Sequence, residues 1–197
     1  RLLTEDSGTS FAAPHVAHLA ALVLTEHPQA VQNLLRALLV AHARWPDACE
    51  ALLNDRPSRL RMCGYGKVDD EALLRSTEQT VSLIANDTIP DRCHHFHEVP
   101  LPDAFIGGRQ RTREVTVALA HSPAVRTTRL AYKSCEMEFR LVWEADLDRV
   151  TRMFNAATSH DEYQRISEAT GARIGARNRG GGTVQADTWT LRRINHR

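Results

Sequence analysis

Apolar residues at Val16, Leu19, Ala20, Val23 and Leu24 fall at i, i+3, i+4, i+7 and i+8, the spacing of one helix face. Ala17, Ala21 and Leu22 fill the other sides, so the pattern predicts a helix buried nearly all round. Few other helices of this chain are available to cover it. The run ends at Thr25-Glu26-His27-Pro28, and Pro28 suits the opening of a second helix, where its missing N–H does no harm. Val31, Leu34, Leu35, Leu38 and Leu39 then form a stripe, with Gln29, Gln32, Asn33 and Arg36 opposite. That is an amphipathic surface helix, closed by Trp45-Pro46. Residues 47–54 read as a short helical excursion and residues 55–61 as a polar connecting run.

Beyond this point the chain turns and changes period. Cys63-Gly64-Tyr65-Gly66-Lys67-Val68-Asp69 sets two glycines around an aromatic, and Asp69-Asp70-Glu71 supplies the acidic start of another helix. The string has neither the spacing nor the terminal Lys-Ser/Thr of a phosphate-binding loop. Residues 80–85, 95–101, 114–120, 128–132 and 136–143 are alternating or β-branched runs separated by Pro, Gly, Asn and Asp turns. The last alternates most clearly, with Met137, Phe139, Leu141 and Trp143 on one face and Glu136, Glu138 and Arg140 on the other. Residues 146–156 predict a helix on Leu147, Val150 and Phe154, residues 160–170 another, and residues 183–191 a final strand. The expected organisation is therefore two domains. Residues 1–76 form the helical end of an α/β domain, and residues 77–197 a mainly antiparallel β-sandwich or jelly-roll-like domain with a helical insertion.

Composition narrows the partners more than the fold. Lys and Arg number 25 against 24 Asp and Glu, a formal charge of +1, which gives no reason to expect nucleic acid or an acidic membrane as partner. No apolar run is long enough to span a bilayer, and no charged-then-apolar signal opens the sequence. Cys49, Cys63, Cys93 and Cys135 form no C-x-x-C pair and no zinc spacing. Two disulfides are possible in principle, but the four read as unpaired buried thiols and lean towards a reducing compartment such as a cytoplasm. His94-His95-Phe96-His97 offers metal-ligand atoms, but no carboxylate or cysteine cluster is fixed to it, so it reads as the wet opening of a strand. Arg173, Arg177 and Arg179 beside Gly180-Gly181-Gly182 read as a solvated hairpin. No metal and no cofactor is assigned to this chain.

The candidate chemistry precedes the apolar helix, in Gly8-Thr9-Ser10-Phe11-Ala12-Ala13-Pro14-His15-Val16. Gly8, without a Cβ, lets the backbone turn tightly. Ser10 then falls in the first turn of the helix, where free N–H groups and the helix dipole favour negative charge. Ala12 and Ala13 keep the surroundings narrow, and Pro14 is tolerated near a helix start. An ordinary serine cap accounts for Ser10 but not for the whole string.

The string resembles the Gly-Thr-Ser-x-Ala-x-Pro motif of subtilisin-like serine proteases, with Gly8, Thr9, Ser10, Ala12 and Pro14 in register. The family usually has glycine where this chain has His18, a departure that touches helix packing. The Gly64-x-Gly66-x-Val68 turn is similar to one that follows the serine helices in the same family. The resemblance implies that Ser10 is the nucleophile, that Gly8 and Thr9 are motif residues, and that the activity is that of a serine endopeptidase acting on proteins or peptides. It also implies an oxyanion hole made by the Ser10 N–H and an asparagine side chain. In this family the order is Asp, His, Ser, and none of the ten histidines here precedes a glycine as the family histidine does. Asp6-Ser7-Gly8 imitates the family aspartate string, but Asp6 sits in the turn before the nucleophile and reads as a loop residue. With Arg1 at its start and the motif so close behind, the chain reads as the C-terminal piece of a longer protein, whose missing N-terminal catalytic part is its partner. The calcium sites and cleft of the family lie mostly in that part. The other class of function left open is a non-catalytic binding module built on the C-terminal β-domain.

Overall fold

An 18-residue helix, α1 (Thr9–Glu26), forms on the apolar repeat, and α2 (Gln32–Ala41) on the second stripe. These elements belong to a computed structural model that describes residues 8–74, 80–101, 105, 113–128, 130, 133–142, 146–169 and 182–191. Contacts divide the chain into two units, Arg1–Ser82 and Leu83–Arg197.

In the first unit α2 is followed by β1 (Ala43–Arg44), α3 (Asp47–Leu52), α4 (Arg56–Cys63), β2 (Lys67–Val68) and α5 (Asp70–Leu74). The two short strands pair antiparallel, Ala43 opposite Val68 and Arg44 opposite Lys67. The Asp69 N–H donates to the His42 carbonyl at 2.9 Å and continues the ladder. The core is Leu19, Val23 and Leu73, packed against Leu22, Leu35, Leu38, Leu39, Val68 and Leu74. Thus α2 and α5 cover one face of α1. The expectation of a helix buried all round fails, because Val16 is 41% and Leu24 39% exposed. Cover depends on neighbours from elsewhere in the sequence, which helical period does not report.

The polar run at 55–61 is also a helix. Asp55 accepts the Ser58 N–H at 2.9 Å, and Pro57 in the first turn has no N–H to lose. Charge-rich composition conceals a helix that is set by its cap. Pro28 is the second residue of a turn closed by the Ala30 N–H on the His27 carbonyl at 2.9 Å, and α2 begins only at Gln32.

His42 ends α2 partly buried. Burial, and after it the charge of Arg44, holds the imidazole below its ordinary 6.5, with Asp69 opposing. The unfolded chain therefore takes up a proton near pH 6.5 that the folded chain refuses until lower pH, so stability falls as pH drops below that value. In paired urea titrations, acidification from about pH 7 to about pH 5.5 should destabilise the wild type more than His42→Gln. An unchanged gap between the two proteins would contradict this.

The second unit carries the long ladder. β3 (Arg113–Ala120) pairs antiparallel with β4 (Val184–Leu191), from Arg113 opposite Leu191 to Ala120 opposite Val184. The Thr116 and Thr188 hydroxyls meet across it at 3.0 Å. Ala186 and Trp189 are buried, as are Gln185 and Asp187. Two helices, α6 (Leu147–Ala156) and α7 (His160–Ala169), lie between these strands in sequence. Asp146 caps α6 by accepting the Arg149 N–H at 2.9 Å. Ser159 and Glu162 form a reciprocal capping box at the start of α7, with bonds of 3.2 and 3.3 Å. Val150 and Phe154 are buried as the period required, whereas Leu147 is 44% exposed.

Helices and two small antiparallel sheets make the chain mixed α and β, and the described residues show no closed sandwich. Residues 81–101 and 135–140 run without regular secondary structure, against the expected strands at 80–85, 95–101 and 136–143. Alternation creates a face but not a partner strand, and Val81, Leu83 and Val99 are exposed and belong to no strand among the described residues. The expected strand at 128–132 falls largely outside the described residues, as does the Arg173–Gly182 tract. No helix among the described residues is long and apolar enough to cross a membrane.

Candidate active site

Gly8 precedes α1 in extended backbone, φ 176° and ψ 155°, and its carbonyl accepts the Phe11 N–H at 3.1 Å. A Cβ there would make ordinary contacts with the Phe11 ring at 3.8 Å and the Ser10 nitrogen at 4.0 Å. The chain does turn after Gly8, but this backbone suits any residue, so the turn does not depend on glycine as expected. Thr9 and Ser10 are the first two residues of α1, and both are exposed. Among the described residues no side chain caps this end and no acidic residue stands in the first turn, and the positive dipole end lies at Ser10.

Pro14 lies one turn inside the helix, deeper than its expected place at the start. It has no N–H for the Ser10 carbonyl four residues back. Ser10 therefore stands between N–H groups not consumed by the helix and a carbonyl without its usual helical donor.

The histidines on this helix turn elsewhere. His15 Nε2 lies 3.7 Å from Asp70 Oδ1 on α5. At ~100° and ~1.5 Å per residue, His15 stands ~140° round the axis from Ser10, and His18 ~12 Å further along it. Neither position suits a base for the Ser10 hydroxyl, and among the described residues that hydroxyl has no hydrogen-bond partner. Asp6 lies outside the described residues.

The glycine turn is built more strictly. Gly64 (φ +58°) and Gly66 (φ +99°) both hold conformations that favour glycine, and a Cβ on Gly66 would fall 2.2 Å from the Arg44 carbonyl oxygen. Trp45 locks the turn, its indole N–H donating to the Gly64 carbonyl at 2.9 Å. The guanidinium groups of Arg56 and Arg59 lie 5.7 and 5.3 Å from the Trp45 ring centre. Sequence reading missed this cluster, whose one signal was an aromatic before a proline ahead of an arginine-rich segment.

The histidine string in the second unit divides its members. His94 packs on Phe96, Phe154 and Tyr163 at 5.2–6.4 Å between ring centres. His95 Nδ1 lies 3.4 Å from Asp87 Oδ2, and its ring is 6.0 Å from that of His97. No group of three or more His, Cys, Asp or Glu side chains suited to a metal gathers among the described residues.

Comparison with known proteins bears on the stretch that carries Ser10. The sequence matches the Subtilase family over residues 1–66, from before α1 to Gly66. Over those residues the chain is similar to subtilases. This segment holds both the serine string and the glycine turn. Over 144 residues the chain is 37% identical to a Sinorhizobium fredii protein described as uncharacterized. That match covers 72% of this chain and 33% of the relative, so the chain spans about a third of the length of the curated relative it matches. No solved structure matches.

Proposed function

We propose that this chain is the serine-bearing part of a subtilisin-like serine endopeptidase, with Ser10 as nucleophile. The observation that carries this reading is the subtilase match at 1–66, lying on a stretch where Ser10 stands in the first turn of α1, an end that no described side chain caps. In this mechanism Ser10 Oγ attacks the scissile carbonyl while a histidine takes its proton and an aspartate orients that histidine. The Ser10 N–H and an asparagine side chain then hold the oxyanion, with Gly8 and Thr9 shaping the approach. By the family order, aspartate and histidine come from sequence preceding the serine string, and the same sequence covers the exposed Phe11, Val16 and Leu24. Residues 1–76 then close the catalytic domain, and residues 77–197 form an appended domain. A sandwich or jelly roll in that domain draws support from β4, where Gln185 Nε2 donates to the Met137 carbonyl at 2.8 Å. The Phe139 ring also packs on Trp189, 6.0 Å between centres.

Without a base for Ser10, this chain alone should not hydrolyse peptides. A fluorophosphonate probe should leave residues 1–197 unlabelled and label the chain extended by its natural preceding segment, with Ser10→Ala abolishing the label. Strong labelling of residues 1–197 would reveal a base among them. An extended protein that stays unlabelled while folded would put the binding-module reading first.

A further inference from the structure

Two of the four cysteines touch. Cys49, third residue of α3, and Cys63, last residue of α4, lie with their sulfurs 3.1 Å apart across 14 residues of sequence. Both are free thiols, as expected, but Cys63 is exposed and Cys49 only partly buried, so the expectation of burial fails for this pair. The fold holds the contact in place, because Arg59 of α4 reaches back to α3. Its Nε donates to the Leu53 carbonyl at 2.7 Å, and its Nη1 lies 3.2 Å from Glu50 Oε1. A disulfide needs its sulfurs at ~2.05 Å, an approach of ~1 Å from here.

We propose that Cys49 and Cys63 are a dithiol–disulfide pair, a modification site that small-molecule disulfides oxidise into a covalent clasp between α3 and α4. The inference holds whether or not Ser10 is a nucleophile. The Cys49 S–H donates to Cys63 Sγ, and that bond, with burial after it, raises the Cys49 thiol and keeps its proton in place. Cys63, the more exposed sulfur, attacks first. Its thiolate displaces one thiolate from the oxidant and forms a mixed disulfide. Cys49, on losing its proton, attacks the Cys63 sulfur, closes the protein disulfide and expels the second thiolate. The two protons released by the cysteines end on the two expelled thiolates. One disulfide is thus reduced to two thiols as two protein thiols become one disulfide.

The test treats the full chain with oxidised glutathione, quenches with acid, blocks remaining thiols and maps tryptic peptides. Cleavage after Arg59 and Arg61 separates the two cysteines, so closure appears as a cross-linked peptide pair lighter by about 2 Da than its reduced parts. Cys93 and Cys135, in the other unit, should remain blocked as thiols, and dithiothreitol should reverse the link. Closure should be at least about tenfold faster in the folded chain than in the urea-denatured chain, since the fold supplies the encounter. Cys49→Ser should instead retain a glutathione adduct on Cys63. Equal folded and denatured rates, adducts without the cross-link in the wild type, or preferential reaction at Cys93 or Cys135 would overturn the proposal.

Discussion

Gly66→Ala should unfold the first unit or bring it close to unfolding. Two costs coincide at this position. The backbone holds φ +99°, where an L side chain is strained by about 1–3 kcal/mol. The new Cβ would also lie 2.2 Å from the Arg44 carbonyl oxygen and 2.8 Å from the Trp45 nitrogen, and both are backbone atoms. Side chains give way by rotating, but this contact requires β1 to move, at about a further 1–3 kcal/mol. The sum is of the order of a small unit's whole stability. Gly64→Ala is the comparison, because Gly64 also has a positive φ but open space around its Cβ position, and so carries the first cost alone. Urea midpoints read from Trp45 fluorescence should fall for both, and clearly further for Gly66→Ala. Equal losses would show that β1 yields freely, and that the close approach contributes nothing.

The sequence made some of this legible and hid the rest for identifiable reasons. α1 and α2 follow from apolar period, which is local information. The extent of burial along α1 is not local, and α2 with α5 covers only the Leu19–Val23 side. α4 was hidden because its composition is arginine-rich, although the Asp55 cap and Pro57 mark its start. β3 and β4 were legible as β-branched runs, while similar runs at 81–85 and 95–101 form no strand among the described residues. Pairing joins residues as distant as Arg113 and Leu191, and no short window reports it.

The candidate site divides the same way. The serine string can be read directly, and it places Ser10 in the first turn of a helix. Its surroundings cannot be read, since Gly8 proves extended and His15 turns to Asp70. The Cys49–Cys63 contact has no sequence motif because the α3–α4 arrangement creates it. In the first unit the strictest conformational demand falls on the Gly64–Gly66 turn, more than 50 residues after Ser10. The segment that matches the subtilase model can therefore lose its fold through residues remote in sequence from its serine string.

Phe154→Ala should produce the largest loss in the second unit. The ring is 6% exposed and sits among His94, Phe96 and Tyr163, with ring centres 5.7, 5.8 and 6.3 Å away. Truncating a buried phenylalanine costs about 3–5 kcal/mol, because transfer energy is lost and the cavity closes only partly. The edge and stacked ring contacts each add about 0.5–1.5 kcal/mol. His94 and Phe96 belong to a segment without strand or helix, so its ring contacts with Phe154 tie it to α6. The unit should therefore melt at least about 10 °C lower, at a few degrees per kcal/mol. Amide exchange should also quicken at residues 94–97 before it does in β3. Phe154→Leu retains most of the volume and should cost less than half as much. A Phe154→Ala loss below about 1 kcal/mol would mean that the histidine-bearing segment is held by something other than this aromatic cluster.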